Sequence, residues 1–316
     1  MPHEENLTDA LVLLLGAAGM DVVGRLDTEL QAGTSNPAYI RSSFGGVARN
    51  VAENLARLGQ PAALLSAVGE DAVGQQLVHH LAALGVDTHA VLHCPHHSTG
   101  AYLAVLDDHG ALRFALDDMH IMQEITPAYL KQHLALFQQA EMLFLDTNLS
   151  PRTLRTAFSL ARKAGLRVVA DPTSTGLAAR LKPYLDRLYC VVPNAREAAV
   201  LTDISFDEAD RQGALRAARR LVASGVQVAV ITLAEFGLCY ATSDSSGHIP
   251  AIRTAVVDPT GAGDAFTAAL MTALLADMPL DEAMRLGVSA ASLTLQHRGA
   301  VNPDISFDKL YEHLVI

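Results

Sequence analysis

Cysteine is scarce in this chain: there are three, Cys94, Cys190 and Cys239, far apart and odd in number. Such a set builds no disulfide framework and matches no zinc spacing. Unpaired thiols fit a reducing cytoplasm. Positive charge is scarce too. Lys and Arg number 23 against 34 Asp and Glu, for a formal net charge of −11. No basic cluster hides inside that average, which argues against nucleic acid and against an anionic membrane surface as partners. The longest early apolar run, Ala10 to Met20, falls well short of the roughly 20 residues a bilayer demands. Its upstream flank is acidic (Glu4, Glu5, Asp9), where a secretory signal is positive. These absences leave a small molecule as the expected partner.

Lysine is rarer still. The four lysines, Lys131, Lys163, Lys182 and Lys309, all lack a preceding glycine. No Walker A loop can therefore be present. If phosphate is handled here, backbone amides must do much of the stabilising. "GAAGMDVVG" from Gly16 lacks the G-x-G-x-x-G spacing of a dinucleotide loop. "HCPHH", His93 to His97, reads as a solvated loop, without the carboxylate or second cysteine that would complete a metal site.

Half of the 316 residues are hydrophobic, enough for one large core. Ala10 to Leu15 and "PAALLSAVG" read as strands buried on both faces. "GGVARNVAENLARLG" places Val47, Val51, Leu55 and Leu58 on one helical face, closed by Gly59. "AEMLFLD", "LRVVAD", "LYCVVPN" and "QVAVITL" continue the alternation of strand and helix that marks a parallel sheet. Two segments, roughly 20–44 and 98–118, break the rhythm. Both are β-like, and Asp107–Gly110 reads as a hairpin turn. Together they suit a small lid sheet beside a cleft.

The chemistry concentrates at "DPTGAGDAF". A strand-like "TAVVD" leads in and an apolar helix leads out. The amides of Gly261, Ala262 and Gly263 would meet an anion at a helix N-terminus, and Asp264 could take a proton from an attacking alcohol. Read blandly, the string is a glycine turn with a dipole-favoured acid. Gly45, Gly46 and Asn50 open the first core helix; read from the residues alone they are either a ligand wall, where glycines permit close contact with a polyhydroxyl ligand that Asn50 hydrogen-bonds, or a plain glycine turn with a solvent-facing Asn. Asp21, Asp146, Asn148, Asp171 and Asn194 follow apolar strands; ligands of parallel sheets bind at such ends, although any single one of them could simply cap the next helix. Asn194 and Glu197 could share a magnesium-bound water, or be an ordinary helix start.

In this order the motifs resemble the ribokinase-like (PfkB) carbohydrate and nucleoside kinases, over nearly the whole chain. "GGVARNVAENLARLG" is similar to that family's N-terminal signature and "VVDPTGAGDAFTAALM" to its C-terminal one. The resemblance implies one domain over 1–316: a three-layer αβα core with a mainly parallel sheet and a small β lid. It implies ATP with Mg2+, and γ-phosphoryl transfer to a hydroxymethyl oxygen. It makes Asp264 the base and Gly261, Ala262 and Gly263 the anion hole. It draws Asn194 and Glu197 toward magnesium and phosphate, Thr232 and Gly237 toward the nucleotide, and Asp258 and Thr260 toward a monovalent cation such as K+. Asp21, Gly46 and Asn50 match sugar-contacting positions. The lid strings "SNPAYIRSSF" and "STGAYLAVLDDHG" are similar to those of nucleoside-specific members, so a nucleoside 5′-hydroxyl is the expected acceptor. Ala234 stands where the family usually has glycine, and no lysine follows "DPTS". An open lid face invites a second copy, so a homodimer through the lids is expected.

Overall fold

The computed structural model describes residues 8–314, so Glu4 and Glu5 of the acidic flank lie outside the described residues. The core is a nine-stranded sheet. In chain order its strands are β1 (Val12–Leu15), β4 (Ala62–Gly69), β5 (Val91–Cys94), β8 (Met142–Asp146), β9 (Arg167–Asp171), β10 (Cys190–Val191), β11 (Val228–Thr232), β12 (Leu238–Ala241) and β13 (Ser246–Ile249). Their order across the sheet is β13-β12-β11-β10-β9-β8-β1-β4-β5. From β11 to β5 every pairing is parallel; β12 and β13 add an antiparallel edge.

The all-apolar β1 follows from its central place. Leu13 and Leu15 enter one buried cluster, while Val12 and Leu14 enter the other, on the opposite face. A strand covered by helices on both sides has no polar face to alternate with. The helices are punctuated as their sequences demand. Ser150 caps the helix Pro151–Ala164, which begins with proline and ends at Gly165 in the left-handed conformation. Among the described residues no helix is long and apolar enough to cross a membrane.

A separate four-stranded sheet holds β2 (Gly19–Leu26), β3 (Ala38–Gly45), β6 (Gly100–Leu106) and β7 (Leu112–Asp118), in the order β3-β2-β6-β7. β2 pairs with β6 in parallel, and the outer pairings are antiparallel. Period-2 alternation sorts its side chains. Val22, Ile40, Leu103, Val105 and Phe114 line one shallow apolar hollow. Asp21, Arg41, Tyr102 and Asp117 belong to the opposite, polar set by register.

Three expectations need correction. Asp21 does not cap β1; the chain breaks at Gly16–Ala18, and Asp21 is the third residue of β2. "TAVVD" forms no strand. Val256 and Val257 are exposed there, and the Val257 and Asp258 amides bond the Leu295 carbonyl instead. His93 and Cys94 belong to the edge strand β5 rather than to a loop, because their backbone pairs with Val68 and Gly69.

Candidate active site

β4 and β5 extend the sheet on one side of β1, and β8 and the later strands extend it on the other, so strand order reverses between β1 and β8. Parallel sheets form their ligand crevice outside the carboxyl ends of strands at such a reversal. Asp146 ends β8 at this point and is wholly buried. Its Oδ2 accepts from the Ala17 amide at 2.7 Å, and its Oδ1 from the Asn148 amide at 2.9 Å. A Cβ on Gly16 would land on this carboxylate. Asp146 therefore fixes the turn after β1 and has no surface left for a ligand, which corrects its expected role as a substrate contact.

The same turn seats the helix Val47–Arg57. Gly46, its N-cap, holds φ 91°, and a Cβ there would meet the Ala17 carbonyl at 2.5 Å. Only glycine lets the helix start so close. Gly45 is pressed likewise against the Asp21 carboxylate. Both glycines thus have a packing reason that needs no ligand. One turn on, Asn50 Nδ2 donates to Asp264 Oδ2 at 2.7 Å. The Asn50 Oδ1 is buried with no hydrogen-bond partner among the described residues. Leaving such an acceptor unpaired costs about 1–3 kcal/mol. A ligand hydroxyl would satisfy it.

Asp264 lies in the first turn of the helix Ala262–Leu275, whose N-cap is Gly261 at φ 77°. No side chain fits at Gly261, because the Ala300 carbonyl lies against it. The first amides of this helix have no intrahelical acceptor, and the dipole adds partial positive charge. A Cβ on Gly263 would meet no atom within 4 Å, so the backbone there is open to an approaching group. Asp264 is half-buried. Burial pushes its carboxyl up to about 7; the Asn50 hydrogen bond and Arg49 oppose the rise, while Asp21 and Asp146 add to it. Asp21 is pushed up to about 6, chiefly by burial, with Arg49 opposing and Asp258 and Asp117 adding.

Arg49 escaped the sequence reading, although it sits inside the GGVARN motif. It is 3% exposed and pairs through Nη1 with Glu53 Oε2 at 2.8 Å, while its Nη2 donates to the Phe44 carbonyl at 2.9 Å. Burial lowers its pKa from the usual guanidinium value, against the opposing pull of the Glu53, Asp21 and Asp264 charges. Glu53 also takes Arg57 and His80. The signal was there: a glutamate four residues on, which shares a helical face with Arg49.

On the other side of Ala262 and Gly263 lies a cavity of about 520 Å³, lined also by Asn194, Thr232, Gly237, Phe266 and Ser292. Asn194 and Glu197 form a reciprocal capping box, the Asn194 amide donating to Glu197 Oε2 at 2.9 Å and the Glu197 amide to Asn194 Oδ1 at 3.0 Å. Burial raises Glu197, and it raises Asp171 strongly, with the charges of Glu197, Asp264 and Asp146 adding to Asp171's rise. Ala234 at the cavity rim holds φ 47°. That left-handed conformation costs an alanine about 1 kcal/mol, which explains why glycine suits this position better. Asn148 lines a second cavity of about 580 Å³ with Asp117, Gln123 and Arg180. Asp258 and Thr260 lie just ahead of the helix. Asp258 Oδ1 accepts from the Thr260 amide at 3.1 Å and hydroxyl at 2.8 Å, and its Oδ2 meets the Gly299 amide at 3.0 Å and Arg41 Nη1 of β3 at 2.6 Å.

Residues 9–306 match the pfkB family of carbohydrate kinases. The chain belongs to this family. Pseudouridine kinase of Escherichia coli (strain K12) is 35% identical, covering 93% of each chain. Guanosine-inosine kinase of Exiguobacterium acetylicum is 28% identical over 89% of this chain and 93% of its own. Ribokinase of Arabidopsis thaliana, solved with ribose and ATP, superposes with a TM-score of 0.86 at 23% identity, over 98% of this chain and 100% of its own. The fold is thus ribokinase-like, and this PfkB member is a phosphotransferase acting on an alcohol. If Asp264 is its base, kcat/KM for the acceptor falls about tenfold per pH unit below about 7, where the carboxylate protonates. Asn50→Ala removes a bond that holds the carboxyl down, so it moves this limb to higher pH. A pH–rate profile checks both, and a limb near pH 4 contradicts them.

Proposed function

We propose that this kinase transfers the γ-phosphoryl group of ATP to the 5′-hydroxyl of pseudouridine. The observation that carries the chemistry is Asp264: a carboxyl near 7, bonded to Asn50, at a helix N-terminus beside the 520 Å³ cavity. The 35% identity to a pseudouridine kinase supports the choice of nucleoside. Asp264 takes the hydroxyl proton, and the acceptor oxygen bonds to the γ-phosphorus as the bond to the β,γ-bridging oxygen breaks. The amides of Gly261, Ala262 and Gly263 stabilise charge on the phosphoryl oxygens. Asn50 orients Asp264 and offers Oδ1 to the nucleoside, with Asp21, Gly45 and Gly46 forming that wall. Asn148 adds a contact from the second cavity. Thr232 and Gly237 hold the nucleotide.

The residues also fit magnesium. Among the described residues no three His, Cys, Asp or Glu side chains gather as a metal cage. Mg2+ needs none, since it keeps waters and binds mainly phosphates. The crowded carboxylates of Glu197 and Asp171 are destabilised by burial and like charge, and a nearby cation relieves this, with Glu197 acting through water. Bound there, the ion supplies charge neutralisation for the β- and γ-phosphates.

A second reading, another sugar or nucleoside as acceptor, is favoured by the likeness to a guanosine-inosine kinase and by the missing lysine after "DPTS". A panel of pseudouridine, uridine, cytidine, inosine and ribose with MgATP separates the two. Pseudouridine should give the highest kcat/KM, and equal use of uridine contradicts the specific claim. In the same assay Asp264→Asn should lower kcat by about 10²–10⁴. The apolar hollow formed by Val22, Ile40, Leu103 and Phe114 suits a second copy of the chain. Light scattering at micromolar concentration should give the mass of two chains, and a monomer contradicts this.

A further inference from the structure

Asp258 and Thr260 were expected to hold a monovalent cation, but the Asp258 carboxylate, the one charged ligand of that pair, is already filled. A carboxylate offers about four lone-pair sites. Here four donors converge on Asp258: the Thr260 amide and hydroxyl, the Gly299 amide and the Arg41 guanidinium. Asp258 is 1% exposed, so its charge must be answered within the protein. Arg41 answers it at 2.6 Å.

We infer that Arg41 stands in for the monovalent cation, so that this kinase needs none. The guanidinium comes from β3, the strand that runs on into Gly45 and the helix of Asn50. Asp258 in turn holds the Gly299 amide, and the adjoining Ala300 carbonyl packs against Gly261. One ion pair therefore joins the lid strand to the turn that presents the anion-binding amides. Arg41 is a positioning residue: it acts through Asp258 on the Gly261–Gly263 backbone. Its side chain is 42% exposed, so replacing it removes little from the core.

The inference rests on the kinase reading for its rate measurement, taken on whichever alcohol the panel supports; melting temperature needs no substrate, so the two readings fail separately. Wild type should show the same kcat and Tm in potassium, sodium and tetramethylammonium chloride at one ionic strength with MgCl2. Arg41→Gln should lose about tenfold or more in kcat in tetramethylammonium chloride, with acceptor KM little changed. Potassium should restore part of that loss and raise the variant's Tm, and Arg41→Lys should keep most of the activity. Activation of wild type by potassium overturns the inference. So does an Arg41→Gln variant that behaves as wild type in all three salts, or a loss that neither potassium nor lysine repairs.

Discussion

Asn50 and Asp264 are 214 positions apart in the chain, and one hydrogen bond of 2.7 Å joins them. The rest of the cleft is arranged so that this bond can form. Gly46 lets one helix begin against the Ala17 backbone, and Gly261 lets the other begin against Ala300. Asp146 anchors the Ala17 amide from beneath. Each of these is a close backbone approach that a single methyl group would prevent. Together they bring the free amides of one helix and the side chains of another to the same few ångströms, at the point where the sheet reverses its strand order.

Charge follows from that geometry. Gathering Asp21, Asp146, Asp171, Glu197 and Asp264 around one cleft is unfavourable: burial raises all five carboxyls, and neighbouring negative charge adds to the rise of Asp21, Asp171 and Asp264. Arg49 offsets it at Asp21 and Asp264, and a second arginine answers the nearby Asp258. Arg49 lies beneath the acceptor side and is locked by Glu53; Arg41 reaches across from the small sheet to Asp258. A base near neutrality is one consequence, since a fully solvated aspartate would be far too weak to take a proton from an alcohol.

Much of this was legible in the sequence because it is local. The apolar run of β1, the helix after Gly46 and the turn at Gly261 depend on residues that are neighbours in the chain. What depends on distant pairing was not. Asp146 looks the same in sequence whether its carboxylate meets a ligand or the Ala17 amide. Asp21 was assigned to the wrong element because apolar residues continue through the break at Ala17–Ala18. "TAVVD" has β-branched residues, yet Val256 and Val257 face no partner strand. Arg41 gave no signal, since its meaning depends on the register of β3 against a loop more than 200 residues later.

The central claim is that Asp264 stands between acceptor and phosphoryl donor. A crystal structure with the acceptor nucleoside and a non-hydrolysable ATP analogue tests it most directly. The account predicts the 5′-hydroxyl oxygen within about 3 Å of an Asp264 oxygen, with the terminal phosphate on the Ala262 and Gly263 amides. A hydroxyl facing Asp21 or Asp171 instead, with Asp264 bonded only to Asn50, would contradict it.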